Sequence, residues 1–175
     1  MKIVGLLRHA KSSRDDPHLR DFDRPLTRRG VRASELMGTE LRRCDVTFDL
    51  VLASTARRVV ETIENFEKGY GEPLKLQFEP ALYENSARTL LNILDALDDT
   101  SDRVLFVGHN PSLQSLAMTL AASEDIGYSE VASAFPTAAF VLIELPIRHW
   151  SDVKPGTGRI ARFLKPRDLD RRTES

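Results

Sequence analysis

The sequence predicts a single α/β domain with a mostly parallel central sheet and helices on both faces. Three observations carry that prediction. Short apolar runs rich in Ile, Val and Leu recur along the chain, each bounded by polar residues, as strands buried on both faces do. Segments with apolar residues at helical spacing separate them. The length, 175 residues, suits one core of ordinary size.

The opening run, Lys2-Ile3-Val4-Gly5-Leu6-Leu7-Arg8-His9, reads as the first buried strand and delivers Arg8 and His9 at its carboxyl end. Open α/β sheets bind ligands at that rim. A charged loop follows from Ala10 to Leu26, and a loop this long in a compact domain is more often functional than idle. Thr27 reads as an N-cap for a helix with Ala33, Met37, Leu41 and Cys44 on one face, ending near Asp45. Asp49–Ser54 is the second strand. Val59, Ile63, Phe66 and Tyr70 then form a helical stripe that Gly69 and Gly71 are expected to stop, with Arg58 in its first turn.

A short third strand, Leu76–Glu79, leads past Tyr83 and Glu84 to Ser86, the expected cap of a helix with stripe Leu90, Leu94 and Leu97. Arg103–Gly108 is the most strand-like run and ends in His109-Asn110-Pro111. Asn110 is the expected N-cap there, with Pro111 at the first helical position and Leu113, Leu116 and Leu120 facing inward. Thr137–Leu145 and Gly158–Leu164 read as a further pair of strands at or near the sheet edge, joined by a loop holding Trp150, a packing residue. His18 and His149 have no motif around them and read as surface residues. The domain is placed at 1–169, and the charged end is expected to fray, with 170–175 as a disordered tail.

Composition bounds the function. Twenty-five Lys and Arg against 26 Asp and Glu give a formal net charge of -1, which argues against a dedicated nucleic-acid binder. One cysteine, Cys44, excludes an internal disulfide framework and a cysteine-based zinc site. The first apolar run is too short for a secretory or membrane segment, so no membrane partner is expected and the expected address is the cytoplasm.

In a parallel sheet, the carboxyl ends of strands one, two and four share a rim, so Arg8, His9, Arg58 and His109 should converge on one cleft. Arginine forks match the oxygens of phosphate, and the helix start after Ser54 adds backbone donors. A neutral imidazole between them is a competent nucleophile at phosphorus. Such chemistry rests on positioning and charge stabilisation, and it needs no metal or other cofactor if arginine and a second histidine do the electrostatic work.

These residues resemble a known family. Arg8-His9 after the first strand, Ser54-Thr55-Ala56-Arg57-Arg58 with Thr62, and Gly108-His109-Asn110-Pro111 are similar to the signatures of the histidine phosphatase superfamily, with its phosphoglycerate-mutase-like fold. Leu7–Ser13, Asp21-Phe22-Asp23-Arg24-Pro25-Leu26-Thr27, Pro136-Thr137-Ala138 and Phe163–Leu169 resemble its small phosphohistidine phosphatase branch. The resemblance implies that His9 is the phosphorylated nucleophile, Arg8 its phosphate-binding neighbour, Arg58 rather than Arg57 the second arginine, and His109 the histidine contacting phosphoryl oxygens. It implies a further phosphate-facing arginine in Arg24. Glu84 resembles the general acid of larger members, and reads equally as a solvated loop glutamate. Ser54-Thr55 replaces the Ser-Pro of many relatives, which removes a rigid turn.

The expectation is a metal-independent phosphatase acting through phosphohistidine on His9, its substrate a phosphohistidine-bearing protein. Three alternatives stand beside it: a phosphatase for small phosphoesters such as sugar phosphates or nucleotides, a non-catalytic phosphate-binding module, and a metal hydrolase using His9 and His109. The last is disfavoured because no carboxylate cluster accompanies either histidine.

Overall fold

The computed structural model describes residues 1–173. Six strands form one sheet: β1 (Lys2–Arg8), β2 (Leu50–Ala53), β3 (Leu76–Phe78), β4 (Arg103–Gly108), β5 (Phe140–Leu145) and β6 (Arg159–Leu164). Their spatial order is β3-β2-β4-β1-β5-β6. β1 to β4 run parallel, while β5 and β6 are antiparallel additions on the far side of β1. The helices are α1 (Arg28–Arg43), α2 (Arg57–Tyr70), α3 (Ala87–Asp95), α4 (Ser112–Leu120), α5 (Tyr128–Ser133) and α6 (Pro166–Thr173). The family fold expected from the sequence is therefore the observed one. Among the described residues no helix is long and apolar enough to cross a membrane.

The two-residue period of a strand sorts the buried side chains to the two faces. Val4 and Leu6 of β1, with Val104 and Phe106 of β4, meet Leu90, Leu94, Leu113, Leu116 and Leu120 of α3 and α4. Their neighbours Ile3, Leu7, Leu105 and Val107 face Met37, Leu41, Val59, Ile63 and Phe66 of α1 and α2. The helical stripes bury the faces that the sequence singles out.

Register brings three strand ends together. Arg8 pairs with Gly108 at the end of the β1–β4 ladder, and Ala53 pairs with Val107 at the end of the β2–β4 ladder. The next amides continue the pattern: His9 N–H donates to the Gly108 carbonyl at 2.9 Å, and Ser54 N–H to the Val107 carbonyl at 3.0 Å. His9, Ser54 and His109 therefore leave the sheet side by side.

Several boundaries differ from the expected ones, each for a local reason. α2 continues through Gly69 and ends at Gly71, whose φ of 87° caps it in the left-handed region. A Cβ on Gly69 would lie 1.9 Å from the Glu35 carbonyl oxygen, so this glycine serves the close approach of α1. α4 begins at Ser112, one residue later than expected, with Pro111 at the cap position. The Asn110 amide instead donates to Gln114 Oε1 and the Phe135 carbonyl, both at 3.2 Å. β5 starts at Phe140, because Thr137–Ala139 turns across the end of β1, where Ala138 N–H donates to the Arg8 and His9 carbonyls. The charged end is helical rather than frayed as far as Thr173, anchored by Leu169, which is 3% exposed in the core shared with Met37 and Leu41. Residues 174 and 175 of the expected tail lie outside the described residues. Trp150 is fully buried, with its indole N–H donating to the Ser101 carbonyl at 2.9 Å.

Candidate active site

An open cleft of about 560 Å³ lies over the carboxyl ends of the parallel strands, with Arg8, His9, Arg24 and Arg58 among its lining residues. His109 stands directly behind, its ring centroid 5.2 Å from that of His9. Five of the six residues singled out in the sequence thus gather at one place. Glu84, next in the chain to Tyr83, is exposed and is not among the residues that line the cleft.

Each side chain is aimed by its own element. Arg8 is the last residue of β1, and its Nη1 donates to the Phe135 carbonyl at 2.8 Å. Its Nε is buried with no hydrogen-bond partner among the described residues. Burial pushes the Arg8 guanidinium below its usual pKa, and no carboxylate pairs with it among the described residues. A half-buried cation with an orphaned donor is costly until an anion completes it.

His9 places Nδ1 2.7 Å from the Ala10 carbonyl oxygen. A carbonyl can only accept, so Nδ1 carries the proton and Nε2 holds the lone pair. Burial, together with His109, Arg58 and Arg8, depresses this imidazole to about 3, so it is neutral at pH 7. His109 holds the opposite tautomer. Its Nδ1 lies 3.3 Å from Arg58 Nη2, a group that can only donate, and its Nε2 lies 2.8 Å from Ser54 Oγ, to which it gives its hydrogen. Burial and the Arg58 charge bring His109 down to about 4.

Arg58 reaches the cleft from the first turn of α2 and is 7% exposed. Thr62, one turn on, fixes that turn to the end of β1: its hydroxyl donates to the Arg58 carbonyl at 2.6 Å and accepts from Ala10 N–H at 3.0 Å. Arg57 points elsewhere and pairs with Glu61 at 2.7 Å on the exposed side of the helix. Arg24 enters from the loop after β1, where its Nε donates to the Ser13 carbonyl at 3.0 Å and its Nη2 to Ser12 Oγ.

Sequence reasoning missed the carboxylate that joins these arginines. Asp21 Oδ1 accepts from Arg24 Nη1 at 2.7 Å, and Oδ2 from Arg58 Nη2 at 2.9 Å. The Tyr83 hydroxyl donates to Oδ2 at 3.1 Å, and its ring packs edge-on against His109. Partial burial opposes ionisation of Asp21, but Arg58, Tyr83 and Arg24 outweigh it and hold the carboxyl below the usual carboxylate range. Asp21 opens the run Asp21–Thr27 that carries the family resemblance, but its role as a bridge shows only in its pairing with Arg58, 37 residues on. His18 is exposed, and exposed His149 pairs with Asp99 at 2.8 Å, far from the cleft. Among the described residues no group of three or more His, Cys, Asp or Glu is placed to hold a metal ion.

A neutral imidazole beside two guanidiniums, at the rim of a parallel sheet of phosphoglycerate-mutase-like fold, is an arrangement suited to holding a phosphoryl group. The sequence profile of the histidine phosphatase superfamily (branch 1) matches residues 4–92, and the chain belongs to that family. An uncharacterized protein of Mycobacterium tuberculosis is 34% identical over 164 residues, spanning 92% of this chain and all of that relative. The solved structure described as the "putative phosphohistidine phosphatase SixA" from Agrobacterium tumefaciens superposes with a TM-score of 0.78 at 28% identity, over 94% of this chain and 98% of its own. The protein histidine phosphatase SixA complexed with tungstate gives a TM-score of 0.78 at 25% identity, over 95% of this chain and 99% of its own.

Proposed function

We propose that the protein removes phosphate from phosphohistidine in proteins, through a covalent phosphohistidine on His9 and without a metal. The observation that carries this reading is the His9 imidazole: neutral, held by the Ala10 carbonyl through Nδ1, and flanked by Arg8 and Arg58. The phosphoryl group of the substrate would complete the Arg8 donors and displace Asp21 from Arg58. His9 Nε2 then forms a bond to phosphorus as the P–N bond to the substrate imidazole breaks, and that imidazole takes a proton from solvent. Water attacks the phosphoenzyme next, breaks the P–Nε2 bond and releases inorganic phosphate, which restores neutral His9.

His109 supports the transferred group. An arriving phosphoryl dianion reverses the local field and favours protonation of His109 at Nδ1, which then donates to a phosphoryl oxygen. The arginines stabilise charge on the equatorial oxygens, as phosphoryl transfer requires. Phosphohistidine offers a good leaving group, and a reaction on it makes little demand on a general acid such as Glu84. The open cleft supports a phosphorylated side chain on a partner's surface as substrate. The SixA proteins that the chain resembles point the same way. We place the enzyme in the cytoplasm.

The test offers the purified protein a panel of phosphohistidine proteins, sugar phosphates and nucleotides, with a chelator present. Turnover of phosphohistidine well above that of the small esters, undiminished by the chelator, is the expected result. Preference for a sugar phosphate or nucleotide would overturn the substrate, loss of turnover with chelator would overturn the mechanism, and phosphate binding without turnover would leave a recognition module.

A further inference from the structure

A second concavity of about 110 Å³ adjoins the cleft and shares Lys11 and Thr137 with it. Four cations come to it from three places in the chain: Lys11 from the loop after β1, Arg29 from the first turn of α1, and Lys165 with Arg167 from the junction of β6 and α6. Two carboxylates answer them. Glu130 pairs with Lys165, and Asp168 stands 3.6 Å from Arg167 Nε. Among the described residues Lys11 and Arg29 have no ionic partner. The concavity therefore carries a local excess of about two positive charges on a chain whose net charge is -1.

The walls are built rather than loosely solvated. Lys165 is 6% exposed, with its ammonium on Glu130 and 5.0 Å from the centre of the Phe163 ring. The Lys11 backbone is clamped on the start of α1, where its carbonyl accepts from Thr27 N–H at 2.8 Å and from the Thr27 hydroxyl at 3.1 Å. Gly30 permits the clamp, since a Cβ there would lie 2.3 Å from the Lys11 oxygen.

We propose that this annex binds carboxylate side chains of the phosphorylated partner protein, close to the residue that enters the cleft. The inference deepens the proposed function and rests on it. Charge complementarity selects the occupant: an acidic partner surface neutralises the excess while its phosphoryl group meets Arg8 and Arg58. Contacts at such a rim act chiefly on encounter and on salt dependence. The annex therefore favours acidic partners without touching the chemistry.

The test uses the whole protein and a double charge reversal, Arg29→Glu with Arg167→Glu, at positions outside the catalytic cleft. Phosphohistidine peptides flanked by Asp and Glu are compared with matched peptides flanked by Asn and Gln. The wild type should favour the acidic peptide by roughly tenfold in kcat/KM at low salt, through KM, and the double variant should erase the preference. Lysines at both positions should restore it, and p-nitrophenyl phosphate hydrolysis should stay within about twofold of wild type throughout. A second readout stands apart from the substrate reading: an unphosphorylated acidic peptide should inhibit hydrolysis of p-nitrophenyl phosphate by the wild type and not by the double variant. If phosphohistidine is not turned over but this inhibition holds, the substrate reading fails and the annex stands. Equal rates on both peptides with no inhibition, or a double variant weakened only toward a small bisphosphate, would overturn the annex proposal.

Discussion

Asp21 grips Arg58 at two points: its carbonyl accepts from Nη1 at 2.6 Å and its carboxylate from Nη2 at 2.9 Å. The other carboxylate oxygen takes Arg24. An anion of the protein's own thus occupies the donors that the proposed function assigns to a phosphoryl group. Asp21→Asn keeps the carbonyl bond to Arg58 Nη1 but removes the charge and one carboxylate acceptor, which should lower the inhibition constant for tungstate severalfold while kcat falls less than tenfold. A tungstate constant that rises instead would mean that Asp21 aims the arginines rather than competing for them.

Arg58 and its neighbour Arg57 separate the clamp from mere local charge. Successive helical positions lie about 100 degrees apart, and Arg57 is committed to Glu61. Arg58→Ala should cost on the order of 10² or more in kcat/KM, while Arg57→Ala stays within about threefold. Steady-state rates on one phosphohistidine substrate decide it, and equal losses would move the motif by one residue.

Glu84 is exposed and is not among the residues that line the cleft. Glu84→Gln should leave hydrolysis of phosphohistidine and of an alkyl phosphate within about twofold of wild type. A loss of roughly 10²-fold confined to the alkyl ester would instead make it a general acid.

The two histidines make stability depend on pH. Both are depressed from an ordinary 6.5, His9 to about 3 and His109 to about 4. Between about pH 6.5 and those values the unfolded chain binds more protons than the folded one, so stability rises with pH across that window. Lowering the pH from 7 to 4.5 should therefore lower Tm, and a His9→Gln, His109→Gln double variant should show a shallower fall. Parallel curves would mean that the imidazoles are not held neutral by the fold.

Local signals carried most of the architecture. β1 and β4 are legible because buried parallel strands are continuous apolar runs, and Thr27 and Ser86 are legible as caps because each accepts from an amide three residues on. Arg8, His9, Arg58 and His109 follow from strand ends, since topology alone places those ends on one rim. The features that escaped depend on distant partners. α6 is anchored by Leu169 in a charged segment, too little for a visible stripe. Gly69 stops a helix or admits a neighbour, and only the approach of α1 decides which. Asp21 is a loop aspartate until the fold sets it between Arg24 and Arg58.

The central claim is a phosphoryl group carried on His9 Nε2. Rapid quench of the wild type with a labelled phosphohistidine protein, kept out of acid and followed by peptide mapping, measures it directly. Label on the peptide bearing His9, released as inorganic phosphate at the rate of turnover and missing from a folded, inactive His9→Ala protein, is the predicted result. Near-normal turnover by His9→Ala, or label at another residue, would contradict the account.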